Sequence, residues 1–242
     1  MRYFALTDTG KIRTENQDFV YASGDSVGIL PNIFIVADGM GGHNAGDYAS
    51  RIAVKVVLEE IEQSNESKPV AILNQAIKKA NRVLFNEASN DPSKAGMGTT
   101  FVCATISDKK LYVANVGDSR LYIANDNTIV QITRDHSLVQ EMMRNGQLGK
   151  FDPKRHPKRN AITRAIGAEE DVNIDFFEVA NNNFEQFLLC SDGLTNMVDD
   201  NELFAQLAND SDAKTKANVL VSLANRAGGL DNISAIVVEP FE

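Results

Sequence analysis

The run Phe34-Ile35-Val36-Ala37-Asp38-Gly39-Met40-Gly41-Gly42 decides how this chain is read. Its apolar start has no polar alternation, which describes a strand buried on both faces. The run ends in an aspartate and glycines, so Asp38 stands where the strand leaves the core, on backbone that the sheet holds rigid. Gly39 is expected to let the chain turn sharply there and to leave its own carbonyl uncrowded. A carboxylate beside a bare carbonyl suits hard cations such as magnesium, manganese or calcium. Taken alone, Asp-Gly at a strand end more often marks an ordinary turn.

The pattern recurs. Phe187-Leu188-Leu189-Cys190-Ser191-Asp192-Gly193 is another apolar run closed by Asp-Gly, and Asp231-Asn232 precedes the apolar run 233–238. If these strands are neighbours, their acids converge on one point. Carboxylates so gathered require a cation or raised pKa values.

With 242 residues the chain is long enough for one domain, 1–242, with a substantial core. Hydrophobic residues at 43% and charged residues at 24% place it among soluble globular proteins. No apolar window is long enough for a membrane span and the N-terminus does not open a signal peptide, so the cytoplasm is the expected compartment. The net charge of −9 disfavours nucleic acid as a partner. It is compatible with a phosphorylated substrate, because divalent cations invert the local sign. His43, His136 and His156, with Cys103 and Cys190, form no zinc-type cluster, so any metal should be oxygen-ligated. Both cysteines lie inside apolar runs and read as buried, reduced and structural.

Strand-like stretches at 1–7 and 19–22 flank the loop 8–18. Gly10-Lys11 lacks the upstream glycine of a P-loop, and Asp8-Thr9-Gly10 has no second copy to form an aspartic-protease dyad. Helical spacing marks 47–63 and a second stretch, from Val70 to just before Asp91-Pro92, as an antiparallel pair. Strands are expected over 98–107, 111–116, 121–124 and 128–132, with the turn Gly117-Asp118-Ser119-Arg120 between two of them. Residues 134–167 lack apolar periodicity and carry Arg144, Lys150, Lys154, Arg155, Lys158, Arg159 and Arg164. That basic stretch is either a solvated loop or a flap that meets an acidic or phosphorylated partner. A second helix pair over 202–209 and 213–227 precedes the last strand. The order gives an α+β fold: a central β-sandwich of two antiparallel sheets flanked by pairs of antiparallel helices.

The motifs Arg13-Thr14-Glu15-Asn16-Gln17-Asp18, Val36-Ala37-Asp38-Gly39-Met40-Gly41-Gly42-His43, Gly98-Thr99-Thr100, Val116-Gly117-Asp118-Ser119-Arg120, Asp135-His136-Ser137, Ser191-Asp192-Gly193-Leu194-Thr195 and Asp231-Asn232 span nearly the whole chain. In this order they resemble the metal-dependent protein phosphatases, the type 2C serine/threonine family, especially its bacterial members. The resemblance implies hydrolysis of phosphoserine and phosphothreonine by direct attack of a metal-activated water on phosphorus. It implies two Mn2+ or Mg2+ ions: Asp38 bridges both, the Gly39 carbonyl joins one, and Asp192 and Asp231 hold the other. By the same resemblance Asp18 steadies the site through water, Asp118 with Asp192 forms a third site, and Arg13 grips the substrate phosphate. Phosphoproteins, and a bacterial Hanks-type kinase whose work is reversed, are the implied partners, and a monomer the implied state.

The alternatives in the residues themselves are weaker. Neither Cys103 nor Cys190 has arginine six residues on, so a cysteine-dependent phosphatase loop is missing, and Arg155-His156-Pro157 does not match a histidine phosphatase. Many eukaryotic family members carry histidine where Met40 stands, and methionine has no proton to give; His43 or a metal-bound water is the substitute expected here. Intact Asp38, Asp192, Asp231 and Arg13 speak against a non-catalytic binding module, which has no reason to hold so much negative charge together. A structural metalloprotein, its metals serving only to satisfy the acids, is distinguished by phosphate release from a phosphothreonine peptide with and without Mn and chelator.

Overall fold

Residues of opposite parity along the central strands enter different cores, which is why those strands show no polar alternation. A computed structural model describes residues 1–42, 45–146, 156–158, 160–180 and 184–240. One antiparallel sheet has the order β1 (Arg2–Asp8), β11 (Ile233–Glu239), β10 (Gln186–Cys190), β7 (Arg120–Asn125), β8 (Thr128–Gln131). The other has the order β2 (Asp18–Ser23), β3 (Ile33–Met40), β5 (Phe101–Ser107), β6 (Lys110–Val116), β9 (Asp175–Ala180), and the short β4 (Gly98–Thr99) pairs with β3.

Between the sheets lie Phe34, Val36, Val102, Ala104, Phe187, Leu189, Ile236 and Val238. Their neighbours in sequence point outward. Ile33, Ile35, Ala37, Phe101 and Cys103 join the core under helices α1 (Ala45–Gln63) and α2 (Pro69–Asn90). Leu188, Cys190, Ala235 and Val237 join the core under α5 (Asp200–Leu207) and α6 (Ala213–Arg226). This is the expected layering, helix pair on sheet on sheet on helix pair. The cysteines are free and sit in opposite outer layers, where burial pushes each thiol up to about 12. Among the described residues no helix is long and apolar enough to cross a membrane.

Four local expectations change. The strand expected over 98–107 breaks at Thr100 into β4 and β5. Strand β9 was not anticipated, because Asp-Phe-Phe-Glu-Val-Ala places two aromatics side by side and breaks the period of two. Within 134–167 the chain forms helix α3 (Leu138–Arg144), capped by Ser137. It buries only Val139, too little for a visible stripe. A one-turn helix, α4 (Asp192–Thr195), begins at the second Asp-Gly pair. Of the basic residues in that stretch, Arg144 and Lys158 are exposed and Arg164 is paired with Asp175 at 2.9 Å. Lys150, Lys154, Arg155 and Arg159 lie outside the described residues, as does His43.

The segment 165–173 between α3 and β9 is clamped to the body of the fold. Ile166 and Thr99 exchange backbone hydrogen bonds of 2.9 and 3.0 Å. Buried Asn81 of α2 accepts the Gly167 N–H at 2.8 Å and donates to the carbonyls of Glu169 and Glu170 at 3.0 and 3.1 Å. Gly167 has φ +88°, and a Cβ there would stand 2.8 Å from Leu84 Cβ. We predict that Asn81→Ala strands a buried N–H and lowers stability by about 1–3 kcal/mol. Urea unfolding measures this; an unchanged midpoint would show that the clamp is dispensable.

Candidate active site

The register of β2 and β3 sets Asp18 directly opposite Asp38. Like charges so placed are unfavourable unless something compensates. Asp18 is 2% exposed; its Oδ2 accepts the Ser191 and Ser234 hydroxyls, each at 2.7 Å, while its Oδ1 is buried without a partner. Ser234 lies in β11 and Ser191 directly follows β10, both of the other sheet, so Asp18 ties the sheets together at this end.

Asp38 is fixed through its backbone. Its N–H donates to Thr100 Oγ1 at 3.0 Å, and its carbonyl accepts from Thr100 N–H and Thr99 Oγ1 at 2.9 Å each. This is the physical content of Gly98-Thr99-Thr100, and it explains why the strand breaks at Thr100. Thr100 Oγ1 also meets Ser119 Oγ at 2.7 Å, which links Asp38 to the turn that carries Asp118. The back of that turn rests on His136, whose Nδ1 accepts the Gly117 N–H at 3.0 Å. Burial, then the Arg164 charge, holds His136 below the usual imidazole range, in keeping with an Nδ1 that accepts a hydrogen bond. Arg120 forks onto Asp135 through Nε–Oδ1 at 3.0 Å and Nη2–Oδ2 at 2.7 Å.

The glycines after Asp38 and Asp192 do not serve as turns. Gly39 remains in β3, paired with Thr99, and a Cβ on it would fall 2.0 Å from the Gly46 carbonyl oxygen. The chain bends at Gly41 instead, where φ is +152°. On Gly193 a Cβ would fall 1.9 Å from the Asn232 carbonyl oxygen, so the start of α4 is pressed against the residues beside Asp231. Asn232 in turn accepts the Gln17 N–H at 2.8 Å and donates to the Thr9 and Glu15 carbonyls at 2.9 Å each. That fixes the loop carrying Arg13, whose Nη2 donates to Asp231 Oδ2 at 2.9 Å.

Asp38, Gly39, Asp118, Asp192 and Asp231 thus line one cavity of about 260 Å³, together with Arg13 and Met40, while Asp18 stands behind Asp38. Sequence reasoning left Ser191, Ser234, Ser119 and Asn232 without roles. All but Ser234 belong to the quoted motifs; Ser234 stands inside the last apolar run and gives no local signal.

Burial, followed by the charges of Asp18, Asp192, Asp118 and Asp231, raises the Asp38 carboxyl well above the usual range. Asp18 is raised to about 7 by burial, against the pull of its serine bonds. Burial and then Asp231 raise Asp192 to about 6, and burial and then Asp192 raise Asp118 well above its ordinary value. Among the described residues no three acidic, histidine or cysteine side chains close on a common point as a chelating set. Three of the acids have partners away from any common point: Asp231 has Arg13, Asp192 has Asn196 at 2.9 Å, and Asp18 has the serines. The donors nevertheless fit divalent cations. They are all oxygen, the charges of Asp18, Asp192, Asp118 and Asp231 raise the Asp38 carboxyl, and Asp18 Oδ1 is a buried acceptor with nothing to accept.

A two-sheet sandwich with outer helix pairs and an acid-lined cavity at one end is the build of a metal-dependent phosphoester hydrolase. The chain belongs to the protein phosphatase 2C family, which it matches over residues 10–233. It is 40% identical over 239 residues to the serine/threonine phosphatase stp of Listeria welshimeri, a match covering 96% of this chain and 93% of the relative. The crystal structure of the serine/threonine phosphatase Stp1 from Staphylococcus aureus superposes with a TM-score of 0.91 at 33% identity, over 99% of this chain and 95% of that one. The catalytic domain of the phosphatase PstP, solved in complex with two manganese ions, gives 0.82 at 30% identity over 98% and 96%. The chain is accordingly a protein serine/threonine phosphatase, of a family whose members depend on metal.

The raised carboxyls set a stability trend for protein kept in chelator. They hold protons more tightly folded than unfolded, where the ordinary value is 3.8, so their stabilising contribution is complete below that value and fades as pH climbs through about 6 and 7. We predict that Tm in chelator falls between about pH 6 and about pH 8, and that Asp38→Asn raises Tm at the upper end and flattens the slope. Melting curves of both proteins test this; coincident, flat profiles would mean the acids do not strain the fold.

Proposed function

We propose that the acid cavity is the catalytic centre and that it hydrolyses phosphoserine and phosphothreonine in proteins. Asp38, the Gly39 carbonyl, Asp192 and Asp231 would hold two divalent cations, Mn2+ or Mg2+, and Asp118 with Asp192 a third. When bound, such cations supply positive charge to the phosphoryl oxygens and lower the pKa of water. The reading is carried by the convergence of Asp38 from one sheet and Asp192 and Asp231 from the ends of two inner strands of the other on a single cavity beside Arg13.

The residues divide the work as follows. Arg13 orients the phosphate, since its planar guanidinium matches two phosphate oxygens and its side chain is 54% exposed. Its bond to Asp231 is an exposed ion pair, the kind that exchanges at little cost. Asp18, in register with Asp38, ties the two sheets together through Ser191 and Ser234 and keeps an unpartnered Oδ1 available beside the site. Thr99 and Thr100 keep the Asp38 backbone from moving. Met40 has no proton for the leaving oxygen. The pairing with a bacterial serine/threonine kinase, a cytoplasmic setting and a monomeric state belong to the same proposal.

Turnover of a phosphothreonine peptide tests it. Activity is expected with Mn2+ or Mg2+ and none in chelator. Asp38→Asn and Asp192→Asn should abolish turnover while keeping the fold, and Arg13→Ala should lower kcat/KM on the order of 10²-fold. Turnover that survives chelator, or Asp38→Asn, would overturn the assignment.

A further inference from the structure

A second cleft adjoins the catalytic cavity and shares Met40 and Ile162 with it. It encloses about 260 Å³. Its floor is apolar, from Met40, Ile162, Ala165 and Val172, and its rim carries Glu169 and Asp171. Met40 forms the partition. It lies across Gly98, where a Cβ would stand 2.6 Å from Met40 Cε, so the glycine makes room for it. The far wall is the segment that Asn81 and the Thr99–Ile166 pair clamp in place, so the cleft is preformed.

Among the described residues the charges of this cleft do not balance: Arg164 is the one cation lining it, and it is already bonded to Asp175 at 2.9 Å. Asp171 has Lys78 Nζ at 3.6 Å, yet its side chain is 80% exposed. The Glu169 side chain makes no hydrogen bond or ion pair among the described residues; only its carbonyl is engaged, by Asn81. An apolar floor leading to two exposed carboxylates, of which Glu169 is unpaired among the described residues, suits a long side chain with a hydrocarbon stem and a cationic head.

We propose that this cleft is a specificity subsite for a lysine or arginine near the phosphorylated residue of a protein substrate. The stem lies along Met40, Ile162, Ala165 and Val172, and the head meets Glu169 and Asp171. The proposal rests on the reading of the adjoining cavity as the catalytic centre. It gives Met40 a part in substrate choice at a position where it has none in proton transfer.

The experiment uses phosphothreonine peptides with alanine flanks, in which arginine is moved through each flanking position, with p-nitrophenyl phosphate as a substrate that has no flanking residue and no cationic group. Arginine at one position is expected to raise kcat/KM about threefold to tenfold over alanine, the scale of a partly screened ion pair. Glu169→Gln with Asp171→Asn should erase that gain, and Glu169→Lys with Asp171→Lys should move the preference to glutamate at the same position. Aryl phosphate turnover should not change in either variant, and both carboxylates are exposed, so the fold is kept. Arginine no better than alanine at every position, or a gain that survives the neutral variant, would overturn the subsite. Failure of the unaltered protein to turn over p-nitrophenyl phosphate with Mn2+ would instead overturn the catalytic reading beneath it.

Discussion

Everything at the open end of the sandwich answers to one constraint: a buried aspartate stands in register with another aspartate, and the sheets must stay together regardless. Left to itself, such a pair pushes strands apart. The chain counters with local bonds. Ser191 and Ser234 hold Asp18, Thr99 and Thr100 hold the backbone of Asp38, and Asn232 holds the loop that leads into Asp18. Most of the motif residues that do not line the cavity are accounted for as restraints on this repulsion. They are placed where small polar groups can reach backbone, which explains their short side chains.

Close approach completes the arrangement. Gly39 lets the first turn of α1 lie against β3, and Gly193 lets α4 lie against residue 232. The second contact sets the start of α4, and with it Asp192, against the residues at Asp231. A side chain at either glycine would wedge the acids apart before any ligand was considered. The site is therefore assembled by backbone-to-backbone contact, and the acids are passengers on it. This differs from the arrangement that Asp-Gly pairs suggest on their own.

That difference marks where the sequence was legible. The apolar runs ending at Asp38 and Asp192 gave the three-layer core correctly, because a strand with no polar alternation has to be covered on both faces. The helix pairs followed from their stripes. What stayed hidden depended on contacts distant in sequence. The glycines' true neighbours are the carbonyls of residues 46 and 232, which no local pattern reveals. Strand β9 has adjacent aromatics at a half-exposed edge, and α3 buries one residue, so neither produces a period. Ser234 is invisible for a related reason: a serine in an apolar strand reads as a lapse in the pattern until its hydroxyl is found on Asp18.

The pair Arg13–Asp231 carries the argument one step further. Both side chains are partly exposed, 54% and 31%, so their bond is screened and holds neither firmly. A phosphate dianion presents Arg13 with two oxygens in a matching plane, a stronger partner than one carboxylate oxygen. Drawing Arg13 away frees Asp231 Oδ2, while Asp231 Oδ1 stays on the Asn232 N–H at 2.9 Å and keeps the carboxylate in position. On the proposed reading, phosphate capture and the release of an acid toward the cation site are then one exchange, made by a single arginine. The loop can support it because Asn232, not the ion pair, holds its backbone, so Arg13 can change partners without the site coming apart.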